Sequence, residues 1–273
     1  MRPLTLFFLI VSSTLIILPA QEQRSVEEWH RQRIESLKRD HGWLSLIALE
    51  WLTPGKNTIA GVGTVRLNKG IVTVSMAKGT AATLNGKNFQ SGVLKPDQDK
   101  VVFETKALQV IERSGRFALR VWDAEAPSRK EFHGIERYPV SDKWVITAVW
   151  EPYAAPKKVE IPTVIPGLTQ YGVAPGVARF TIEGKEYRLE PTKEEGEDQL
   201  FFVFADRTNG KETYGAGRFL YAGPPKEGKI VLDFNRSYNP PCAFSAFATC
   251  PVPSKENRLP FRVDAGEKKY GDH

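Results

Sequence analysis

From Trp43 onward the chain is punctuated: short apolar runs are closed again and again by glycine, asparagine and proline. The runs are Leu46–Leu52, Ile71–Ser75, Ala81–Leu84, Val101–Thr105, Leu108–Arg113 and Arg116–Trp122 in the first half. Lys143–Glu151, Lys158–Pro162, Ala178–Ile182, Glu186–Glu190, Leu200–Ala205, Gly217–Ala222 and Ile230–Phe234 follow. Asn85-Gly86 and Ser114-Gly115 are tight hairpin signals, and Glu183-Gly184 and Thr208-Asn209-Gly210 supply further turns. Phe117, Leu119 and Val121 fall at every second position, the period of a strand. Strands at this regular spacing predict a mostly β protein of antiparallel sandwich or barrel-like sheets rather than βαβ units.

One helix is expected ahead of the strands. Ser25-Val26-Glu27-Glu28 fits a capping box, and Val26, Trp29, Ile34 and Leu37 form an apolar stripe through a polar segment reaching Asp40, with Gly42 as the stop. Before it, Arg2 and an apolar stretch from Leu4 to Leu18 lead into Pro19-Ala20. That layout is a secretory signal over residues 1–20, too short for a membrane span. The mature protein is therefore expected to begin near Gln21, to be periplasmic or extracellular, and to have no stable membrane insertion. The polar stretch Ala126–Lys130 can serve as a short linker, so the expected division of the remainder is a helix plus small β domain over 21–125 and a larger β domain over 126–273, with a single body as the alternative. The net charge is +6, but acidic and basic residues alternate, without the clustered basic face that nucleic-acid binding requires.

The distinctive chemistry lies in the last third. Asp206-Arg207-Thr208-Asn209-Gly210 and Thr213-Tyr214 through Arg218 are followed by Asp233-Phe234-Asn235-Arg236-Ser237-Tyr238-Asn239-Pro240-Pro241-Cys242, then Cys250-Pro251 and Asn257-Arg258-Leu259. With Gly42-Trp43-Leu44 and Trp51-Leu52 upstream, these segments resemble the signature of an uncharacterised bacterial and archaeal family, domain of unknown function 1684. The resemblance covers nearly all of the mature chain. It implies a shared fold and carries no activity, substrate or catalytic residue.

The only two cysteines, Cys242 and Cys250, are expected to form a disulfide in an exported protein. His30, His41, His133 and His273 have none of the paired spacings of a zinc site, and nucleophile-elbow, Walker and Rossmann fingerprints are missing, so no metal or cofactor is expected. Trp43, Trp51, Trp122, Trp144 and Trp150 sit in or beside strands and are read as core. The candidate site is the polar set Asp206, Tyr214, Arg218, Asp233, Asn235, Arg236, Tyr238 and Asn239. A guanidinium with tyrosine and asparagine suits a small polar or amphiphilic ligand. Asp206 or Asp233 as general acid or base would instead make a hydrolase of glycans or esters. Arg218 paired with either carboxylate would make the set a network inside a structural envelope protein.

Overall fold

The computed structural model describes residues 19–194 and 196–271. Of the expected signal, only Pro19 and Ala20 fall within that range, and they open helix α1 (Pro19–Leu37). The helix runs through Ser25, so this residue does not cap it; its hydroxyl accepts a hydrogen bond from Arg236 at 2.5 Å instead. The apolar stripe does the packing. Val26 and Leu37 are wholly buried and Trp29 and Ile34 half-buried, while Glu27, Glu28, Arg31, Gln32 and Glu35 face water. Gly42 lies close under the helix end, where a Cβ would stand 2.5 Å from the Leu37 carbonyl oxygen.

The first half contains β1 (Leu46–Trp51), β2 (Gly55–Ile59), β3 (Gly63–Asn68), β4 (Ile71–Met76), β5 (Ala82–Leu84), β6 (Lys87–Asn88), β7 (Ser91–Leu94), β8 (Lys100–Phe103), β9 (Lys106–Arg113) and β10 (Arg116–Asp123). They form two antiparallel sheets, ordered β1-β10-β9-β8-β5-β6 and β2-β3-β4-β7. Their shared core includes Val65, Val74, Leu94, Val101, Leu108, Val110 and Leu119. Asn85-Gly86 and Ser114-Gly115 both have positive φ at each position, as a twisted hairpin demands.

A single turn of helix, α2 (Pro127–Lys130), leads to β11 (Val145–Pro162), β12 (Thr169–Ile182), β13 (Lys185–Leu189), β14 (Leu200–Phe204), β15 (Arg218–Ala222) and β16 (Lys229–Asp233). The larger sheet runs β13-β12-β11-β16, and β14 pairs with β15. A second core gathers Phe180, Leu189, Phe202, Phe204, Leu220, Leu232 and Phe234. Two expected strands, Lys143–Glu151 and Lys158–Pro162, are one continuous strand. Pro152 and Pro156 donate no hydrogen bond and read as a break, yet the chain absorbs them in a register shift between Pro152 and Lys157 and resumes pairing with β12.

Beyond β16 the chain threads over the second half with short helical turns and isolated bridges only. It is nonetheless interior: Leu259, Val263 and Ala265 belong to the second core, and Asn257 and Glu267 are buried.

Candidate functional site

The polar residues singled out from sequence divide into several local networks. Arg218, at the start of β15, is wholly buried. Its Nη2 donates to Asp206 Oδ2 at 2.6 Å and to the Val263 carbonyl at 2.9 Å, and its Nη1 to the Ala265 carbonyl. The other Asp206 oxygen accepts from the Thr208 amide (2.8 Å), the Thr208 hydroxyl (2.7 Å) and the Val263 amide (3.2 Å). Asp206 thus closes the turn after β14 and anchors the strandless segment. Asp233 ends β16 and accepts from the Asn235 amide at 3.1 Å, while its second oxygen pairs with Arg236 at 3.0 Å. Asn235 clasps Ser141 through both its oxygen and its nitrogen, at 3.0 and 3.1 Å. Asn239 binds Glu267 through its amide and the Lys268 carbonyl through its side chain, both at 2.7 Å. Tyr214 donates to the Cys242 carbonyl at 3.2 Å.

Tyr238 packs between Phe219 and Tyr221, with the Arg33 guanidinium 4.7 Å from its ring centroid. Burial holds its hydroxyl protonated far above the ordinary tyrosine range. Asp206 and Asp233, the expected acid–base candidates, face interior donors, and neither lines an open cleft. Cys242 and Cys250 stand together as thiols, with the Cys242 amide donating to Cys250 Sγ at 3.1 Å. Their mutual hydrogen bond and burial keep Cys250 protonated, and the same bond eases Cys242 downward.

None of the eight residues lines the large concavity of the molecule, a half-open groove of about 840 Å³. The groove is within the range typical of small-molecule sites. Its origin lies in the β14–β15 hairpin. Leu200-Phe201-Phe202-Val203-Phe204 is apolar at every position, so alternation sends apolar side chains to both faces. Phe202, Phe204 and Leu220 fill the core, whereas Phe201, Val203, Phe219 and Tyr221 turn to the groove. Phe201 meets Phe219 edge-on at 4.8 Å and Tyr221 at 4.9 Å. Opposite them, β11 and β12 contribute Val159, Ile161, Tyr171 and Val173. Tyr171 is 57% exposed, Val173 44% and Tyr221 44%, so apolar surface continues from the interior to the rim.

One end of the groove is polar and comes from the other half of the molecule. Arg120 of β10 reaches it beside Trp43 and Arg113. Arg120 is 7% exposed; its Nη2 donates to the Thr249 hydroxyl at 3.2 Å, and its guanidinium carbon lies 5.2 Å from the Trp43 ring centroid. Its Nε has no acceptor, and no carboxylate among the described residues forms an ion pair with it. Burial, with Arg113 nearby, pulls its pKa down to about 10. Sequence reasoning passed over Arg120 because it stands inside a strand chosen for its alternation. The signal was that a charged residue shares a face with Ala118 and Trp122, both buried.

The fold and groove thus define a β protein of two sheet-built halves that share an apolar trough with a buried cation at one end. The chain belongs to the family described as Protein of unknown function (DUF1684), whose model matches residues 130–268. Trp43, Arg113 and Arg120 lie outside that matched segment, and the remaining groove residues lie within it. Among solved structures, the solution NMR structure of an uncharacterized protein from Haloarcula marismortui is 27% identical, covering 53% of this chain and 81% of that one with a TM-score of 0.45. No curated protein matches the chain.

Proposed function

We propose that this protein is a binding module that holds a small amphiphilic ligand in the groove between the β11–β12 and β14–β15 hairpins. The observation that carries the reading is the continuity of apolar surface. Exposed Tyr171, Val173 and Tyr221 lead inward to Phe201 and Phe219 in one concavity. Contiguous apolar surface of this kind marks interaction sites, whereas scattered exposed residues need no explanation. Val231 of β16 is equally exposed, at 51%, but stands apart from the groove and serves as the control.

The test is binding of a neutral, polarity-sensitive dye, N-phenylnaphthylamine, to Val173→Asp and Val231→Asp. A carboxylate in the apolar wall must be desolvated when the dye enters. Val173→Asp is expected to weaken binding about tenfold or more, and Val231→Asp to leave it unchanged. Equal effects from both substitutions would show the dye binding without the groove.

We also propose that the protein works after export, in the periplasm or outside the cell. The reading is supported by the charged, apolar and small-residue order of residues 1–20. In such a compartment Cys242 and Cys250, already in contact, would oxidise to a disulfide. Sequencing of the mature protein should start near Gln21; recovery of an intact Met1 on a cytosolic product overturns the assignment.

A further inference from the structure

We infer that Arg120 is the receptor for the carboxylate of an anionic amphiphile whose chain lies along Phe201, Phe219 and Tyr221. The inference rests on the groove being a binding site and names the ligand class that it takes.

A buried cation is kept only where something compensates it, by a carboxylate, a full set of acceptors or a ligand. Arg218 is the internal comparison, with its carboxylate at 2.6 Å and two carbonyls besides. Both arginines leave Nε without an acceptor, so the difference lies in the anion. Arg120 has one hydroxyl and one ring face, and it opens on the groove. Its neighbour Arg113 is already matched, with Nη1 at 2.8 Å from Asp97. One positive charge is therefore left at this end, which suits a monoanion. A carboxylate fits the planar fork of a guanidinium whose Nη1 donates to no acceptor among the described residues.

The groove also contains carboxylates: strand register holds Glu190 and Glu194 away from Arg120, while Glu160, paired with Tyr171 beside Gln170, is exposed to water and forms no ion pair with Arg120. Thr249, the hydroxyl partner of Arg120, is tied through its carbonyl to Gln170 at 3.1 Å. Glu190 and Glu194 flank Thr192 and Lys193, which pair with Phe201 and Val173. Gln170 and Val173 are three residues apart on β12, roughly 10 Å of strand. Glu190 and Glu194 thus stand away from the arginine end of the groove. Burial also depresses the pKa of Arg120, the direction expected of a cation that lacks its counter-ion.

The experiment is calorimetric titration of the full chain with n-decanoate, n-decanol and n-decyl phosphate at neutral pH, each below its micellar concentration. Wild type should bind decanoate about tenfold or more tightly than decanol, the gain expected of a charge-assisted hydrogen bond in a buried site. Arg120→Met keeps the apolar stem, and it should erase that preference while leaving decanol binding intact. Equal binding of decanoate and decanol by wild type overturns the inference but leaves the groove reading standing. Failure of all three to bind overturns both. Decyl phosphate binding as tightly as decanoate overturns the assignment to a carboxylate. If Arg120→Met does not fold, wild type is titrated at falling pH. Decanoate affinity should then drop toward that of decanol as the ligand's own carboxyl protonates, and an unchanged affinity contradicts the role of Arg120.

Discussion

Two buried arginines, 98 positions apart in the chain, show how little the residue type alone decides. Arg218 sits among Asp206, Val263 and Ala265 and ties β15 to the strandless segment. Replacing it by leucine leaves the Asp206 charge with amide and hydroxyl donors but no cation. Breaking such a buried pair typically costs about 3–5 kcal/mol, a large part of a domain's net stability. Arg218→Leu should therefore lower the urea midpoint of the ligand-free protein sharply. If the midpoint holds and only ligand binding is lost, Arg218 belongs to a site and the interior-network account of it fails. From sequence, an arginine between Gly217 and Phe219 is compatible with either role, because its pairing with Asp206, 12 residues upstream, and with carbonyls 45 and 47 residues downstream is decided only by the fold.

At the scale of elements, much was legible because the signals are local. Backbone permissiveness at Gly86, Gly115 and Gly184 is a property of the residue itself, and the pairs Asn85-Gly86, Ser114-Gly115 and Glu183-Gly184 all carry positive φ between paired strands. The stripe on α1 is likewise local, and Val26 and Leu37 bury as the spacing requires. What escaped depends on distant chain. The start of α1 was misplaced because a capping box is only a local preference, and helix upstream of Ser25 overrides it. The length of β11 was missed because its continuity across Pro152 and Pro156 is maintained by pairing with β12. The groove was missed for a related reason. Continuous apolar residues in Leu200–Phe204 announce that both faces of β14 meet apolar surroundings, without saying that one of them is an open trough.

At the scale of the whole molecule, the groove is a place where the two halves meet. β10 supplies the cation, and the hairpins of the other half supply the apolar walls. The second half also depends on the segment beyond β16, which has no strand of its own yet contributes Val263 and Ala265 to the core and Glu267 to Asn239. That dependence sets an order of events during synthesis. Chains emerge from the ribosome amino-terminus first, and segments fold as their contacts become available. The β1–β10 sheets have every strand they need once Asp123 has emerged. Arg218 and Asp206 then wait for the Val263 main chain, made 45 and 57 residues later. A chain stopped after Pro260 should be readily proteolysed across residues 144–234 while the region spanning residues 46–123 stays protected. Equal resistance of the truncated and full chains would refute this order. Delayed closure leaves the second half pliable during translation; on the proposal that the chain is exported, that is the state a narrow translocation channel would admit.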